Sequence, residues 1–423
     1  MMAPTPLPVS RRVRLLSQAG LILLLLSLAA PSGGLISIPV VFFLKNRLHL
    51  SANATAQFNL WVSIPLYLSF ALGLLRDRWN PFGTGDRGHL VIFGLVSAAI
   101  FGALAFLQPS YAVLMGGLLV VTSTVLVALS AANGIFTTMG QQHVMPGQAS
   151  VVMLVASWIP IVVGYLIGGV LSQAIEGLNG AGAARALFLV GGGLMILTAV
   201  LGAFGPKALF TAHATARVHS LRGDIARLLR HWPVYPITLL MLIWNFQPAF
   251  GTAMTYHLSN HMAASDSQVG AVFALYWVGS MIMAVFYSFV CQKTRLSPLL
   301  WWGTIIGIPS MIPLLLVHTP SGAMIAALVM GLMSGFCSAA YIDLAIRSSP
   351  RGLEGTLMML VLTTTYYISG RFGDLWGTYL YDHKGGFTIV VIATTAVYVF
   401  LAPVLLLVPK TLTATSDGEV ARG

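Results

Sequence analysis

Twelve apolar stretches, each long enough to cross a lipid bilayer, run through this chain at about 15–44, 54–75, 88–108, 111–138, 147–175, 184–205, 233–260, 267–292, 297–317, 321–347, 352–380 and 386–409. Few folds satisfy that constraint. In hydrocarbon every backbone N–H and C=O must be paired inside the protein, so such stretches are expected to be helices packed as a bundle. Only 8% of the residues are charged, against about 25% in an ordinary soluble domain, which excludes a water-facing fold. The expected class is an all-α integral membrane protein with 12 transmembrane helices.

The loops say which way the bundle points. With the N-terminus in the cytoplasm, seventeen of the 22 Lys and Arg residues fall inside, from Arg11, Arg12 and Arg14 to Lys410 and Arg422. Lys45, Arg47, Arg185 and Lys384 fall outside, and Arg371 lies within a span. That is the positive-inside pattern, which places both termini in the cytoplasm and the protein in the inner (plasma) membrane. The bias also accounts for the net charge of +11, so no nucleic-acid partner is expected; the partners are the lipid bilayer and a small-molecule substrate, and the chain is expected to act as a monomer.

Arg11–Arg14 followed by the Leu21–Leu26 run imitates a secretory signal, but the apolar stretch continues through Phe42–Leu44 and removing it would invert every later loop. Pro31, Gly33 and Gly34 instead predict a broken first helix, tolerable where the freed backbone lines a cavity. Cys291 and Cys337 both lie in spans and make no disulfide framework.

The longest polar interval, 206–232, divides the chain into a six-helix bundle over 1–205 and a second over 233–423. Within the interval, Val218, Leu221, Ile225 and Leu228 alternate with Arg217, Arg222 and Arg227 at helical spacing, predicting an amphipathic helix on the membrane surface.

Between the second and third spans stands Gly73-Leu74-Leu75-Arg76-Asp77-Arg78, which resembles the G-x-L-x-D-R signature of the major facilitator superfamily. The resemblance implies a 6+6 secondary transporter in which Gly73, Asp77 and Arg78 form part of an inner gate, the carboxylate facing the positive end of a neighbouring helix. The equivalent loop of the second half, Gln292–Ser297, carries no good copy. Several segments are similar to the folate-biopterin transporter family: Trp61 with Pro65-Leu66-Tyr67, Thr252–Asn260, Leu296–Trp302, and above all Leu344–Thr356 with its Pro350-Arg351-Gly352-Leu353-Glu354-Gly355-Thr356 junction. That family's lysine-proline pair and Asp-Ala-Leu are replaced here by Ile64-Pro65 and Ala131-Ala132-Asn133-Gly134. The resemblance implies transport of a folate-, pterin- or S-adenosylmethionine-like metabolite.

Ionisable residues inside a span cost about 2.5–3.5 kcal/mol each, so each is a candidate site. Arg371 and Asp374 lie three apart in the eleventh span, on the stripe of Thr363, Tyr367, Thr378 and Tyr381. Arg371 is the mid-membrane cation suited to a substrate carboxylate, and Asp374 would hold it or exchange a proton. Asn245 and Tyr256 in the seventh span, Tyr276 and Ser280 in the eighth, and Asn133 in the fourth form polar or aromatic stripes that suit a flat heterocycle. Asp343 is a second candidate for proton coupling; with Arg347 and Glu354 it also marks the inner gate. His257 and His261 have ligand spacing but no third partner, so no metal site is expected. The chain has no phosphate-cradling loop and no catalytic constellation, hence no enzyme activity and no cofactor. Two other functions remain open: export of an amphipathic drug- or siderophore-like compound, and a non-transporting receptor or assembly factor with a transporter fold.

Overall fold

The computed structural model describes residues 7–37, 40, 43–44, 48–50, 52–176, 180–210 and 220–419. The chain enters through α1 (Val9–Ala29), which ends just before Pro31 as the breakers predict. The second apolar stretch divides into α2 (Ala52–Val62), α3 (Ile64–Tyr67) and α4 (Ser69–Arg78). Long helices follow: α5 (Asp86–Phe106), α6 (Tyr111–Gln142), α7 (Pro146–Glu176) and α8 (Gly180–Phe204). A short α9 (Leu221–Arg230) precedes α10 (Val234–Asn245) and α11 (Thr252–His261), and then come α12 (Asp266–Val290), α13 (Leu296–Gly307) and α14 (Pro320–Ser348). The eleventh stretch comprises α15 (Glu354–Met358), a π-helical turn over Met359–Thr364 and α16 (Thr365–His383). The chain closes with α17 (Gly386–Val399), α18 (Leu401–Leu405) and α19 (Lys410–Thr413).

Among the described residues nine helices are long and apolar enough to cross a membrane, fewer than the twelve uninterrupted spans expected from the sequence. The shortfall has a physical cause: stretches 54–75, 233–260 and 352–380 are broken, by Pro65, by Gln247–Gly251 and by the π turn respectively. These interruptions neighbour one another. Ser69 at the start of α4 donates to the Met359 carbonyl at 3.2 Å and pairs with Thr364 Oγ1 at 2.9 Å, while α10 also packs on the π turn. Irregular backbone at membrane depth is thereby paired within the protein, as hydrocarbon demands.

Packing relies on small residues. α12 lies against α14 so closely that a Cβ on Gly331 or Gly335 would collide with the carbonyls of Tyr276 and Ser280. Without a hydrophobic drive between helices in lipid, such small-xxx-small contacts hold bundles by van der Waals fit. In the first half α5 packs on α8 and α6, and α1 on α7 and α8. The two sets meet where α4 packs on α15 and where α7 packs on α12 and α14.

The first helix and the segment after the last one reach the same end of the bundle: Arg12 Nη1 donates to Gln148 Oε1 at 3.3 Å, and Gly147 N beside it donates to Asp417 at 3.1 Å. At that end α9 lies across both sets of helices. Arg78 approaches Asp224 at 3.9 Å from one side, and Arg227 Nη2 donates to the Arg351 carbonyl at 2.8 Å on the other. Leu221, Ile225 and Leu229, four residues apart, are exposed on α9, while Asp224 is buried. Val218 and Arg217 of the expected amphipathic pattern lie outside the described residues, as do Phe42, Lys45, Arg47 and Arg422.

Candidate functional site

The charges concentrate at the end of the bundle where the termini meet. Gly73 of α4 sits over Gly355 of α15, and a Cβ on either would come within 3 Å of the opposite helix or its partners. That approach lets the Asp77 carboxylate reach the N-terminus of α15. Asp77 accepts from Gly355 N at 3.1 Å, and from Thr356 N and Thr356 Oγ1 at 2.6 Å each. A helix start has unpaired N–H donors and a partial positive charge, so a carboxylate there satisfies both.

Arg76, rather than Arg78, is the cation at the centre of this contact. It is fully buried, donates through Nε to Asp86 at 2.6 Å and through Nη1 to Asp77 at 2.5 Å, and lies against Gly134 of α6, where a Cβ would overlap its guanidinium. Arg76 and Asp86 were missed in the sequence because they read as ordinary loop charges; the available signal was Asp86 opening a helix just after the signature. Glu354 is buried beside them, with Oε1 accepting from Gly352 N at 2.9 Å.

Asp343 and Arg347 form a pair on α14, Nε to Oδ1 at 2.7 Å, with Tyr287 donating to the same carboxylate at 2.7 Å. Both lie at this end rather than at mid-membrane.

Deeper in, a cavity of about 300 Å³ lies between the two sets of helices. Its wall takes Trp158 from α7, Trp244 and Asn245 from α10, Tyr276, Trp277 and Ser280 from α12, Tyr366 and Tyr367 from α16, and Asn133 from α6. The broken segments supply the rest: Pro31–Gly33 after α1, Leu66 of α3, Gln247 and Phe250 between α10 and α11, and Thr363 of the π turn. Among the described lining residues none is Lys, Arg, Asp, Glu or His. Phe250 stands 4.8 Å from Tyr276 between ring centres, and Trp158 stands 5.4 Å from Trp277, so aromatic faces border the space from both sets of helices. Asn245 donates to Thr365 at 3.1 Å, and Ser32 pairs with Tyr367 at 3.2 Å across the cavity. Trp277 Nε1 is a buried donor with no hydrogen-bond partner among the described residues.

The cavity gathers five of the eight residues expected from the sequence to bind substrate, namely Asn133, Asn245, Tyr276, Ser280 and Tyr367. It does not gather Arg371, Asp374 or Tyr256. Asp374 makes no ion pair with Arg371; it accepts from Thr252 N at 2.9 Å and Thr252 Oγ1 at 3.0 Å, capping α11 where the helix restarts after its break. Gly373 and Gly377 pack against that break, which explains why α16 carries small residues on this face. Arg371 is exposed, one helical turn beyond Tyr367 on the same face. Tyr256 is also exposed. His257 stacks on Phe387 with ring centres 4.3 Å apart, and no group of three or more His, Cys, Asp or Glu among the described residues could hold a metal.

No family model matches the chain. The solved structures decide the architecture. The major facilitator superfamily transporter FucP in its outward conformation superposes with a TM-score of 0.70, covering 93% of this chain and 98% of that one at 13% identity. The fold is the major facilitator fold. A bacterial homologue of the iron transporter ferroportin in an outward-facing state (TM-score 0.63, 18% identity, 93% and 98% covered) is similar to it. So is the human organic anion transporter MFSD10 (TM-score 0.63, 14% identity, 94% and 100% covered). In sequence, the Synechocystis sp. folate-biopterin transporter is 23% identical over 349 residues, 78% of this chain and 68% of that protein.

Proposed function

We propose that this protein is a secondary transporter working by alternating access, with six spans in each half and its gated end in the cytoplasm, and that its cargo is a flat pterin-like heterocycle. The three interrupted segments complete the twelve crossings in this reading. One observation carries it: the cavity between the halves is lined by aromatic faces, side-chain amides and the unpartnered Trp277 donor. A ring of fused heterocycles stacks on such faces and exchanges edge hydrogen bonds with amides, and an orphaned buried donor is relieved by a ligand carbonyl or ring nitrogen. The partial likeness to a folate-biopterin transporter supports the same class.

The uncharged lining separates a pterin ring from a whole folate. A folate's carboxylates would find no cation in the cavity, and Arg371, about 6 Å beyond Tyr367 along α16, would take them outside it. The tight contacts at Asp77 and Asp343 then serve as the closed inner gate. The same lining favours a second reading, export of an apolar, amphipathic compound.

Thermal shift of the purified protein distinguishes them. A ligand at a hundredfold excess over its Kd stabilises the folded form by about 2.7 kcal/mol. Stabilisation by pterins, weakened in Asn245→Ala and Trp277→Phe, is the expected result. Stabilisation by amphipathic dyes alone transfers the assignment to the exporter, and copurification with a partner complex and no ligand response transfers it to an assembly role.

A further inference from the structure

The second half of the gate lacks a carboxylate in the loop between α12 and α13, and the segment after α19 supplies one. Thr415–Gly418 folds back under the bundle. Arg347 Nη1 donates to the Thr415 carbonyl and hydroxyl at 3.0 Å each, Leu296 N donates to the same carbonyl at 3.3 Å, and Asp417 N donates to the Cys291 carbonyl at 3.0 Å. These bonds fasten the segment to the second set of helices. Asp417 then crosses to the first set, where its Oδ1 accepts from Gly147 N at 3.1 Å and its Oδ2 from Gln148 N at 3.0 Å, at the N-terminus of α7. Gly418 N donates to the Val144 carbonyl at 2.6 Å beside it.

This geometry repeats the contact at the other half. Asp77 sits on two successive backbone N–H groups at the start of α15, Asp417 on two at the start of α7, and each carboxylate is joined to an arginine, Arg76 or Arg347. Each approach needs a glycine: a Cβ on Gly147 would come within 2.8 Å of Asp343 Oδ2 and Cys291 Sγ, as one on Gly355 would crowd Asp77.

We propose that Asp417, delivered by the segment after α19, is the second inner-gate carboxylate, a strap that holds the gated end shut until the halves separate. The proposal rests on the transporter reading, and its test is chosen to work without any cargo. The groups facing Asp417 are Asp343 and Arg347 on α14, Cys291 and Tyr287 at the end of α12, and the α7 N-terminus with Gln148, which Arg12 of α1 holds. Burial and the Asp343 charge push its carboxyl up to about 7, against Arg347 and the two backbone donors.

Ser130 is a remote reporter. It is buried on α6 against Gly355, on the Asp77 side. In a Cys291→Ser, Cys337→Ser background, the Ser130→Cys thiol reacts with N-ethylmaleimide only when the gated end opens. Removing about 1 kcal/mol of closure corresponds to about a fivefold rise in the open fraction. Asp417→Ala, and a chain stopped after Thr413, are each expected to raise the labelling rate about that much, with Asp77→Ala as the matching change on the other side. Asp417→Asn, which keeps one acceptor oxygen, should give a smaller rise. A Gln148→Cys, Asp417→Cys pair, once oxidised, should hold labelling at its minimum until reductant is added. Unchanged labelling in both Asp417 variants, alongside a rise in Asp77→Ala, overturns the strap. Unchanged labelling in Asp77→Ala as well overturns the gate itself, and with it the transporter reading.

Discussion

The gated end and the central cavity are built from opposite materials. At the gated end, buried carboxylates and arginines meet helix N-termini over glycines, and Arg76, Asp77, Asp86, Asp343, Arg347 and Asp417 are paired with one another or with backbone donors. In the cavity, aromatic rings and amides enclose a space whose described lining bears no charged side chain. Charges in hydrocarbon are costly, and two of the buried carboxylates at this end, Asp77 and Asp417, join one set of helices to the other. The difference teaches how the proposed transporter divides its labour: ring stacking and neutral hydrogen bonds for selectivity, charges for opening.

The sharpest way to break that comparison is at Arg76. Removing one partner of a buried ion pair leaves the other uncompensated, at a cost of about 3–5 kcal/mol. Arg76→Leu should therefore lower thermal stability by about that amount, and Arg76→Leu with Asp86→Leu should recover much of the loss. A single variant as stable as the parent in a melting experiment would mean that these charges are not held as the gate requires.

Smaller effects belong in the cavity. Asn245→Ala should weaken binding of a pterin by about 1–2 kcal/mol, roughly 5–30-fold, by removing an edge partner without disturbing the gate. Arg371→Ala should leave binding of the bare ring unchanged in the same titration and weaken only ligands bearing a carboxylate. Equal losses for both ligands would put a charge back into the recognition of the ring.

The smallest expected effect is that of pH. The Asp417 carboxyl is raised to about 7 in the closed gate, against about 3.9 for a solvated carboxyl in the open one. A raised value means that protonation of this group adds to closure, fully below about 4, and that this added part is lost as pH rises through 7. Ser130→Cys labelling should therefore quicken between pH 6 and 8, and Asp417→Asn should flatten that rise after correction for the reagent's own pH dependence.

Much of the fold was legible because hydrophobic length and loop charge are local properties. Proline and glycine at Pro31 and Gly33 announced the end of α1, and the Gly73–Arg78 signature announced a carboxylate reaching a helix start. The cavity was half legible: stripes of Asn133, Asn245, Tyr276, Ser280 and Tyr367 could be drawn on separate helices. Arg371 and Asp374 misled the reading because helical spacing shows that two residues share a face without showing what that face meets. Asp374 was drawn to the freed N–H of Thr252, created by a break in another helix 122 residues away in sequence.

The sequence by itself determined a membrane-spanning helical bundle and pointed to the carboxylate that reaches the start of α15, since bilayer thickness and backbone satisfaction act on each stretch separately. Only the tertiary structure decided which charges meet. Arg76 with Asp86, and Asp417 with the start of α7, depend on close helix approach over Gly134 and Gly147. Such contacts follow from three-dimensional packing, of Arg76 against Gly134 on another helix and of Asp417 against a helix start 270 residues away in sequence, which no local periodicity encodes.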